Sequence, residues 1–485
     1  MKTNTKLNLL LNSARMTLMV LVPLVTLPYL SRVFNPESIG RVDWVRSVVS
    51  ILISFASLGV YNYGIREGVK VKDSKESFSR LVHEITISNI TMCILCYAVL
   101  FFLVFYNEKF RHESVFFYIY STSIFFSVLG VDWVFGVYED YVFITIRQVL
   151  VQIVNIVLLL LFVKKETDLL LYLVIQTLVV CIPNFFSFMY SRRYVDYKYI
   201  GEYQIAKHIP ALGIFLFTKL GGDLYYYIDS SMLGVLSSLY QVGLYGVAIK
   251  MTNILLIFFS AMSPVILPKL ISSLRVKADF ERIVKKDFSL KTLLLLPCCA
   301  GLFFLSPSII NVVCGPNYLG GISTLRILAI VLLVTVVATS MQNDILIPKE
   351  QEKFVLILTI INIITNVGCN VYFIAKFGAE GAAYGSLISS AIVFFLGLLY
   401  IHRKLGINML RILIVSSWKY MVGTAFCTLL CLPFYQQTVG VLKLCLIIVG
   451  FMVIYAGILF CLRDKIFFEC IDFGLNMIRK IRRKR

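Results

Sequence analysis

The chain has 485 residues, of which 59% are hydrophobic and 15% charged, and its formal net charge is +19. A mean hydropathy of +0.84 together with so few charges excludes a soluble globular protein. The composition is that of a polytopic membrane protein.

About fourteen apolar stretches follow one another along the chain, each near the ~20 residues that a helix needs to cross a bilayer. Short polar loops separate them, and no segment between them is long enough for a soluble domain. The predicted spans are 7–31, 42–65, 83–106, 114–137, 141–163, 168–191, 210–235, 240–267, 290–313, 322–347, 354–375, 379–402, 412–435 and 440–462. The predicted fold class is therefore an all-α polytopic membrane protein.

The positions of Lys and Arg predict the orientation in the membrane. With a cytoplasmic N-terminus, about 31 of these residues fall in cytoplasmic loops and tails and about 7 in external loops, as the positive-inside rule requires. The net positive charge is thus a topology signal and does not indicate nucleic-acid binding. We expect both termini to be cytoplasmic, with the basic C-terminal tail close to anionic membrane lipids.

Metal, cofactor and enzyme signatures are missing from the sequence. Cys93 and Cys96 have the spacing of a redox pair, but they lie in the middle of a predicted span with no second pair. The four His residues lack ligand spacing, and the chain has no nucleotide-binding phosphate loop. We therefore expect no metal, no cofactor and no enzymatic activity.

Polar residues recur at helical spacing within the first, second, seventh, eighth and eleventh spans. In the first span, Asn8, Asn12 and Arg15 share one face. The stripes of the other spans contain Asp43 and Arg46, Lys219 and Asp223, Lys250 and Asn253, and Asn362, Asn366 and Asn370. A charge at the bilayer centre costs at least ~2.5–3.5 kcal/mol, so these residues are expected to face a polar cavity.

Some of these cations have a simpler interpretation. Arg46 could pair with Asp43 at i, i+3, and Lys219 with Asp223 at i, i+4, as helix-stabilising ion pairs. Such pairing is compatible with a cavity role. Arg15 has no acidic residue within a turn, which makes it the stronger ligand candidate. The role of Arg147 stays open, and three cations nearer to span ends are expected to snorkel to the interface: Arg326, Lys419 and Lys443.

The chain also looks duplicated. Gly40 and Gly243 open the second and eighth spans 203 residues apart, whereas Arg15 and Arg46 lie 204 residues before Lys219 and Lys250. Six intervening spans make this a parallel repeat. The predicted domains are an N-terminal six-helix lobe at 1–203, a second six-helix lobe at 204–405, and a C-terminal helix pair with a basic tail at 406–485.

Several segments then show a family resemblance. Residues 27–68 contain a Pro-x-Leu-Ser-Arg end to the first span, a Gly opening the second, and a Gly…Arg-Glu end to it. The matching positions are Pro28, Arg32, Gly40, Gly59, Arg66 and Glu67. Further segments resemble the same family in the order that the family has them. They are residues 227–251 and then the runs SPVILPKL, CGPNYLGGISTLRILA and NDILIPKEQEKF. The chain resembles the Wzx-type polysaccharide flippases of the multidrug/oligosaccharidyl-lipid/polysaccharide (MOP) exporter superfamily.

That resemblance implies a fourteen-helix, two-lobed, V-shaped transporter that works by alternating access. The implied substrate is an undecaprenyl-diphosphate-linked oligosaccharide repeat unit, moved from the cytoplasmic to the periplasmic leaflet of the bacterial inner membrane. The implied pathway makes O-antigen or capsule, with membrane lipids and the polymerase and chain-length regulator of the pathway as partners.

With that substrate, each group of polar residues has an expected role. The candidates for binding the diphosphate are Arg15, Arg46, Lys219 and Lys250. The candidates for binding sugar hydroxyls are Asn8, Asn12, Asn253, Asn362 and Asn366. The candidates for carrying a coupling ion are Asp43, Asp223 and Asp229.

Two other functions stay open from the sequence. A multidrug/cation antiporter of the same superfamily would line its lobes with acidic residues, whereas these stripes are net basic. A membrane polysaccharide polymerase would carry long external loops with basic residues, and the predicted external loops are short.

Overall fold

The computed structural model describes residues 21–198 and 201–472, apart from seven side chains between positions 217 and 226. Within those ranges every regular element is a helix, which confirms the predicted fold class. The chain divides into two compact units, Met1–Gly246 and Val247–Arg485. The predicted lobes 1–203 and 204–405 divide the chain at another point and stay a prediction.

The helices can be numbered in chain order. Those that begin in the first unit are α1 (Leu21–Val33), α2 (Pro36–Ala56), α3 (Val60–Val71), α4 (Lys75–Tyr106), α5 (Glu108–His112), α6 (Ser114–Val128), α7 (Asp132–Val137), α8 (Tyr141–Phe162), α9 (Leu169–Ser191), α10 (Ile209–Leu236) and α11 (Leu239–Ser260). Those of the second unit are α12 (Ser263–Ser273), α13 (Lys277–Phe304), α14 (Ser306–Cys314), α15 (Ile322–Met341), α16 (Glu352–Phe377), α17 (Ala379–Leu405), α18 (Met409–Cys431) and α19 (Val441–Cys461).

Twelve helical segments in the described part of the chain are long and apolar enough to cross a membrane. They correspond in order to the predicted spans other than 7–31 and 210–235. Much of the first of these lies outside the described residues. The second coincides with α10, whose 28 residues would reach about 42 Å. The chain is a multi-pass membrane protein, and the count of fourteen spans stays a prediction.

The second predicted span is two helices, because a left-handed turn breaks the helix between α2 and α3. At its start, the side chain of Asn35 accepts a hydrogen bond from the Ser38 backbone N–H at 2.8 Å, which caps α2. At its end, Leu58 and Gly59 have φ values of 47° and 64°. A Cβ at Gly59 would also lie 2.5 Å from the backbone of Phe215 in α10. Glycine therefore permits both the left-handed turn and the close approach of α10.

The N-terminal ends of α2 and α11 meet at two glycines. A Cβ added to Gly40 would lie 1.8 Å from the carbonyl oxygen of Leu239, and one added to Gly243 would lie 1.8 Å from that of Pro36. No side chain fits at either position, so this crossing brings backbone against backbone. The two glycines that open repeat-related spans in the sequence are thus in direct contact.

The second unit contains an interruption of a different kind. At its C-terminal end, α15 continues into a π-helical turn, Gln342–Leu346. The π turn closes hydrogen bonds over five residues instead of four, and such turns often mark functional sites. Its residues Ile345 and Leu346 are buried in an apolar core that also contains residues of α12, α13, α16, α17 and α18.

Large apolar side chains cover the outside of many helices. Ile94 of α4 is 63% exposed and Leu442 of α19 is 77% exposed. In a multi-pass protein, hydrocarbon rather than water is the solvent for such side chains. The polar side chains that lie inside the two units are therefore the ones that need an explanation.

Candidate functional site

Arg46 lies on α2, which packs against α6. The residue is half-buried, and its guanidinium lies near the phenol groups of Tyr120 in α6 and Tyr172 in α9 and near the carboxylate of Asp43. The ion pair with Asp43 predicted from the sequence stays a prediction, and two tyrosines of other helices also lie near the guanidinium. A guanidinium held from three sides has a fixed position, which suits a ligand-binding cation.

Lys219 lies on α10 and reaches the far end of α2. Its ammonium group donates a hydrogen bond to the hydroxyl of Ser57, the residue that follows α2. Arg46 and Ser57 are 11 residues apart, which corresponds to about 16 Å along a helix. The structure therefore places these two predicted diphosphate ligands at different depths along α2 and does not bring them together.

Hydroxyl groups connect α2 to α10 in the same unit. Ser231 donates to Ser47 at 3.0 Å, and the indole N–H of Trp44 donates to the Ser231 carbonyl at 3.2 Å. Asp229, two residues closer to the middle of α10, accepts a hydrogen bond from Tyr245 of α11 at 2.5 Å and is buried. Polar side chains of α2 and α10 thus contact each other directly, and the cavity role of the predicted stripes stays a prediction.

Several predicted site residues are not placed. Asn8, Asn12 and Arg15 lie outside the described residues, and so does the side chain of Asp223. Lys250 and Asn253 lie on α11 and are half-buried. Their roles stay predictions.

Asn366, one of the predicted sugar-binding residues, lies at the contact of α16 with α17. Asn370 donates to the side-chain oxygen of Asn366 at 3.0 Å, and Asn366 donates to Ser386 of α17 at 3.3 Å. A Cβ at Gly385 would lie 2.2 Å from the Asn370 amide oxygen. Asn362, two turns before Asn370, has a buried amide oxygen without a hydrogen-bond partner among the described residues. Of the asparagines on this face, Asn362 therefore has the most hydrogen-bonding capacity left for a ligand.

Arg147, whose role the sequence left open, forms an ion pair inside the first unit. Its two terminal nitrogens donate to the two carboxylate oxygens of Asp132 at 3.0 and 2.7 Å, and Asp132 also accepts from Ser187 at 2.7 Å. This bidentate geometry links α7, α8 and α9. Arg147 is therefore a packing residue of this unit.

Two of the three cations that were expected to snorkel, Arg326 and Lys419, have protein partners. The side chain of Arg326 lies 3.7 Å from the centre of the Tyr435 ring and donates to Ser306 at 3.0 Å. Lys419 pairs with Asp464 at 3.5 Å. These contacts tie α15 and α18 to neighbouring loops.

Three charged residues that the sequence analysis did not select form the most deeply buried ionic group described. Lys291 of α13 lies 2.8 Å from Asp287, one turn earlier, and 2.5 Å from Asp344 on the π turn. The exposed fractions of the three side chains are 2% for the lysine and 0% for both acids. We call these residues the buried triad. Two features of the sequence could have indicated it: the i, i+4 spacing of Asp287 and Lys291, and the single acidic residue, Asp344, of the predicted span 322–347.

A second polar network joins the segment before α10 to α4. Glu84 of α4 accepts hydrogen bonds from the ring of His208 at 2.7 Å and from the Gln204 backbone at 2.6 Å, and Tyr63 contacts the other ring nitrogen. In the same segment, burial and a hydrogen bond to a carboxylate raise the pKa of Tyr194 to about 12. This network fixes the connection between α9 and α10.

The sequence of the chain matches known proteins over much of its length. A family model described as "Polysaccharide biosynthesis protein" matches residues 8–275. Two relatives carry the name "Putative O-antigen transporter". That of Escherichia coli strain K12 is 22% identical over 64% of this chain and 75% of its own length. That of Shigella dysenteriae is 21% identical over 81% of this chain and 98% of its own length.

A further relative and two solved structures extend the comparison. The "Probable low-salt glycan biosynthesis flippase Agl15" of Haloferax volcanii is 25% identical over 36% of this chain, and the match spans 37% of its own length. The lipid II flippase MurJ, in an inward closed conformation, superposes with a TM-score of 0.70 at 13% identity, covering 94% of this chain and 99% of MurJ. An inward-facing MATE-family multidrug resistance transporter of the MOP superfamily gives 0.61 at 17% identity, covering 80% and 94%. These structural likenesses establish the fold.

Proposed function

Because the chain belongs to the polysaccharide biosynthesis protein family, we propose that it is a flippase for lipid-linked oligosaccharides. It moves undecaprenyl-diphosphate-linked repeat units from the cytoplasmic to the outer leaflet of the bacterial inner membrane, by alternating access, for O-antigen or capsule synthesis. The observation that carries this proposal is the family match over residues 8–275, together with relatives named as O-antigen transporters.

The physical requirements of that substrate agree with the polar stripes. Its prenyl tail can stay in hydrocarbon, while the diphosphate and the sugars need a polar route with fixed cations. The membrane potential is negative inside, so moving the negatively charged diphosphate outward is favourable by about 2.3 kcal/mol per charge for each 100 mV. Transport by this route needs no nucleotide hydrolysis.

We assign the diphosphate to the four cations of the stripes and the sugars to the amide side chains. The diphosphate ligands are Arg15, Arg46, Lys219 and Lys250. The sugar ligands are Asn8, Asn12, Asn253, Asn362 and Asn366. Arg46 and Lys219 are both half-buried, and because they lie at different depths along α2 they would contact the diphosphate at successive points of its route.

The experiment that tests the function is deletion of the gene in its own host. We expect surface polysaccharide to disappear from gels, and undecaprenyl-linked oligosaccharide to accumulate, with both effects reversed by a plasmid copy. A deletion strain with normal surface polysaccharide and raised sensitivity to cationic drugs would instead favour the antiporter, whose fold this chain shares.

The site assignment is tested by substituting Arg15 in the plasmid copy. Arg15→Ala should abolish surface polysaccharide at unchanged protein level, because the diphosphate loses a fixed cation. Arg15→Lys should keep part of the activity, since a point charge still attracts phosphate but lacks the bidentate fork. Asn12→Ala should be milder, because one neutral hydrogen bond contributes about 0.5–1.5 kcal/mol. Normal polysaccharide from Arg15→Ala would remove this residue from the site.

A further inference from the structure

The hydrogen bonds of the buried triad use every donor of its lysine. The Lys291 ammonium group donates to Asp287 at 2.8 Å, to Asp344 at 2.5 Å and to the hydroxyl of Ser263 at 3.0 Å. An ammonium group has three N–H donors, so all are satisfied. Lys291 therefore has a complete set of hydrogen-bond partners.

The carboxyl groups of the triad are not satisfied in the same way. One oxygen of Asp287 and one of Asp344 are buried without a hydrogen-bond donor among the described residues. The two carboxyl groups are also neighbours, since each has an oxygen within 2.8 Å of the same Lys291 ammonium nitrogen. Two ionised carboxylates facing one ammonium leave a buried net charge of −1, which is strongly disfavoured in an apolar interior. One added proton makes the triad neutral and supplies the missing donor between the two acids.

No other described charged group compensates for that charge. The ion pairs of Lys291 within the described residues involve Asp287 and Asp344 alone. Lys349, on the segment after the π turn, instead lies over the ring of Phe280, two turns before Asp287 on α13. Ser263 at the start of α12 supplies the third hydrogen-bond partner of the Lys291 ammonium group.

We propose that Asp287, Lys291 and Asp344 form a proton-binding site that couples proton movement to the transport cycle. This proposal rests on the proposed flippase function. A proton taken from water binds a carboxylate oxygen of one Asp and is shared with the other. On release it returns to water, and Lys291 stays an ammonium ion throughout.

The position of the triad gives the proton a means of acting on the fold. The triad lies on α13 and on the π turn, and the Ser263 hydroxyl adds a contact from the first turn of α12. The triad carries the polar contacts between them. A change of its charge between 0 and −1 therefore changes the relative stability of alternative arrangements of these elements, which is what coupling requires.

Infrared difference spectroscopy on the purified full-length protein tests the proton itself. The wild-type protein should show the carbonyl stretch of a protonated carboxylic acid, titrating with pH. Asp287→Asn and Asp344→Asn should each abolish that band, because either acid alone is neutralised by Lys291. Lys286→Met is the matched control, since it removes an exposed ion pair with Glu469 at the position next to Asp287. A band that survives both Asn substitutions, or none in the wild type, would overturn the proposal.

The second experiment separates coupling from a structural ion pair. The combined variant Asp287→Asn, Lys291→Met, Asp344→Asn removes all charge, a change that folded proteins often tolerate. If the triad couples protons, this variant should accumulate in the membrane and fail to restore surface polysaccharide, while Lys286→Met restores it. Full restoration by the uncharged variant would show that the triad is structural. The infrared result does not depend on polysaccharide, so failure of the flippase function would be seen separately in the deletion strain.

Discussion

Two arginines inside the first unit show how surroundings decide what the same side chain does. Arg147 meets the carboxylate of Asp132 through two parallel hydrogen bonds, so its charge is matched within the protein. Arg46 instead contacts two neutral phenol groups as well as Asp43. Its surroundings match the charge less completely and leave it better suited to an anionic ligand.

This difference predicts opposite phenotypes for one substitution at the two positions. Arg147→Gln should lower the stability of the detergent-purified protein by about 1–3 kcal/mol, because Asp132 loses its partner while staying partly exposed. Arg46→Gln should lower surface polysaccharide with a smaller loss of stability, since an amide can still bond the phenol groups. Thermal unfolding and polysaccharide gels distinguish the two. Equal stability losses with equal residual transport would contradict the assignment.

The sequence could predict contacts of this kind only where they lie within one helix. Asp43 with Arg46 and Asp287 with Lys291 are both visible as i, i+3 or i, i+4 spacings. Asp344, 53 residues beyond Lys291, joins its partner through the packing of separate elements, which no local spacing encodes. The buried triad was missed for that reason.

At the scale of elements, the spans were predicted and their interruptions were not. Hydropathy identifies the spans because a helix in lipid must be apolar over its whole length. The breaks after Ser57 and at Gln342–Leu346 contain no proline. They depend on neighbouring elements, such as the α10 backbone against Gly59.

The glycine contact between α2 and α11 gives a sharp test of helix packing. Gly40→Ala should destabilise the purified protein by about 1–3 kcal/mol, because its Cβ would overlap the Leu239 carbonyl and the helices must move apart. Gly450→Ala in α19 is the control, since a Cβ there meets nothing within 4 Å. Replacing glycine in a helix should instead favour that variant by up to about 1 kcal/mol. Equal unfolding temperatures for the two variants would show that α2 and α11 do not pack this closely.

At the scale of the whole molecule, the comparisons confirm the family resemblance seen in the sequence. They also show why fold alone does not decide function, because a lipid II flippase and a multidrug transporter superpose on the same chain. The substrate has to be argued from the residues that line the transport route.

The orientation in the membrane is a prediction at this same scale. Green fluorescent protein fused after residue 485 should fluoresce, because the basic tail is expected in the cytoplasm. Alkaline phosphatase fused within the 164–167 loop should be active, because that loop is expected outside. If the C-terminal fluorescent fusion is dark and a phosphatase fused at the same end is active, the C-terminus lies outside and the predicted topology is wrong.

The reciprocal form of the glycine contact bears on the ancestry of the chain. Gly40 meets the residue four positions before Gly243, and Gly243 meets the residue four positions before Gly40. Such an exchange is what a two-fold axis produces when a surface meets its own copy. If the chain arose by gene duplication, its half-length ancestor could have made this contact as a homodimer, from a single glycine on the axis. A substitution at that ancestral position would have changed both sides of the interface at once, because both subunits had the same sequence. In the duplicated chain, each glycine can change separately.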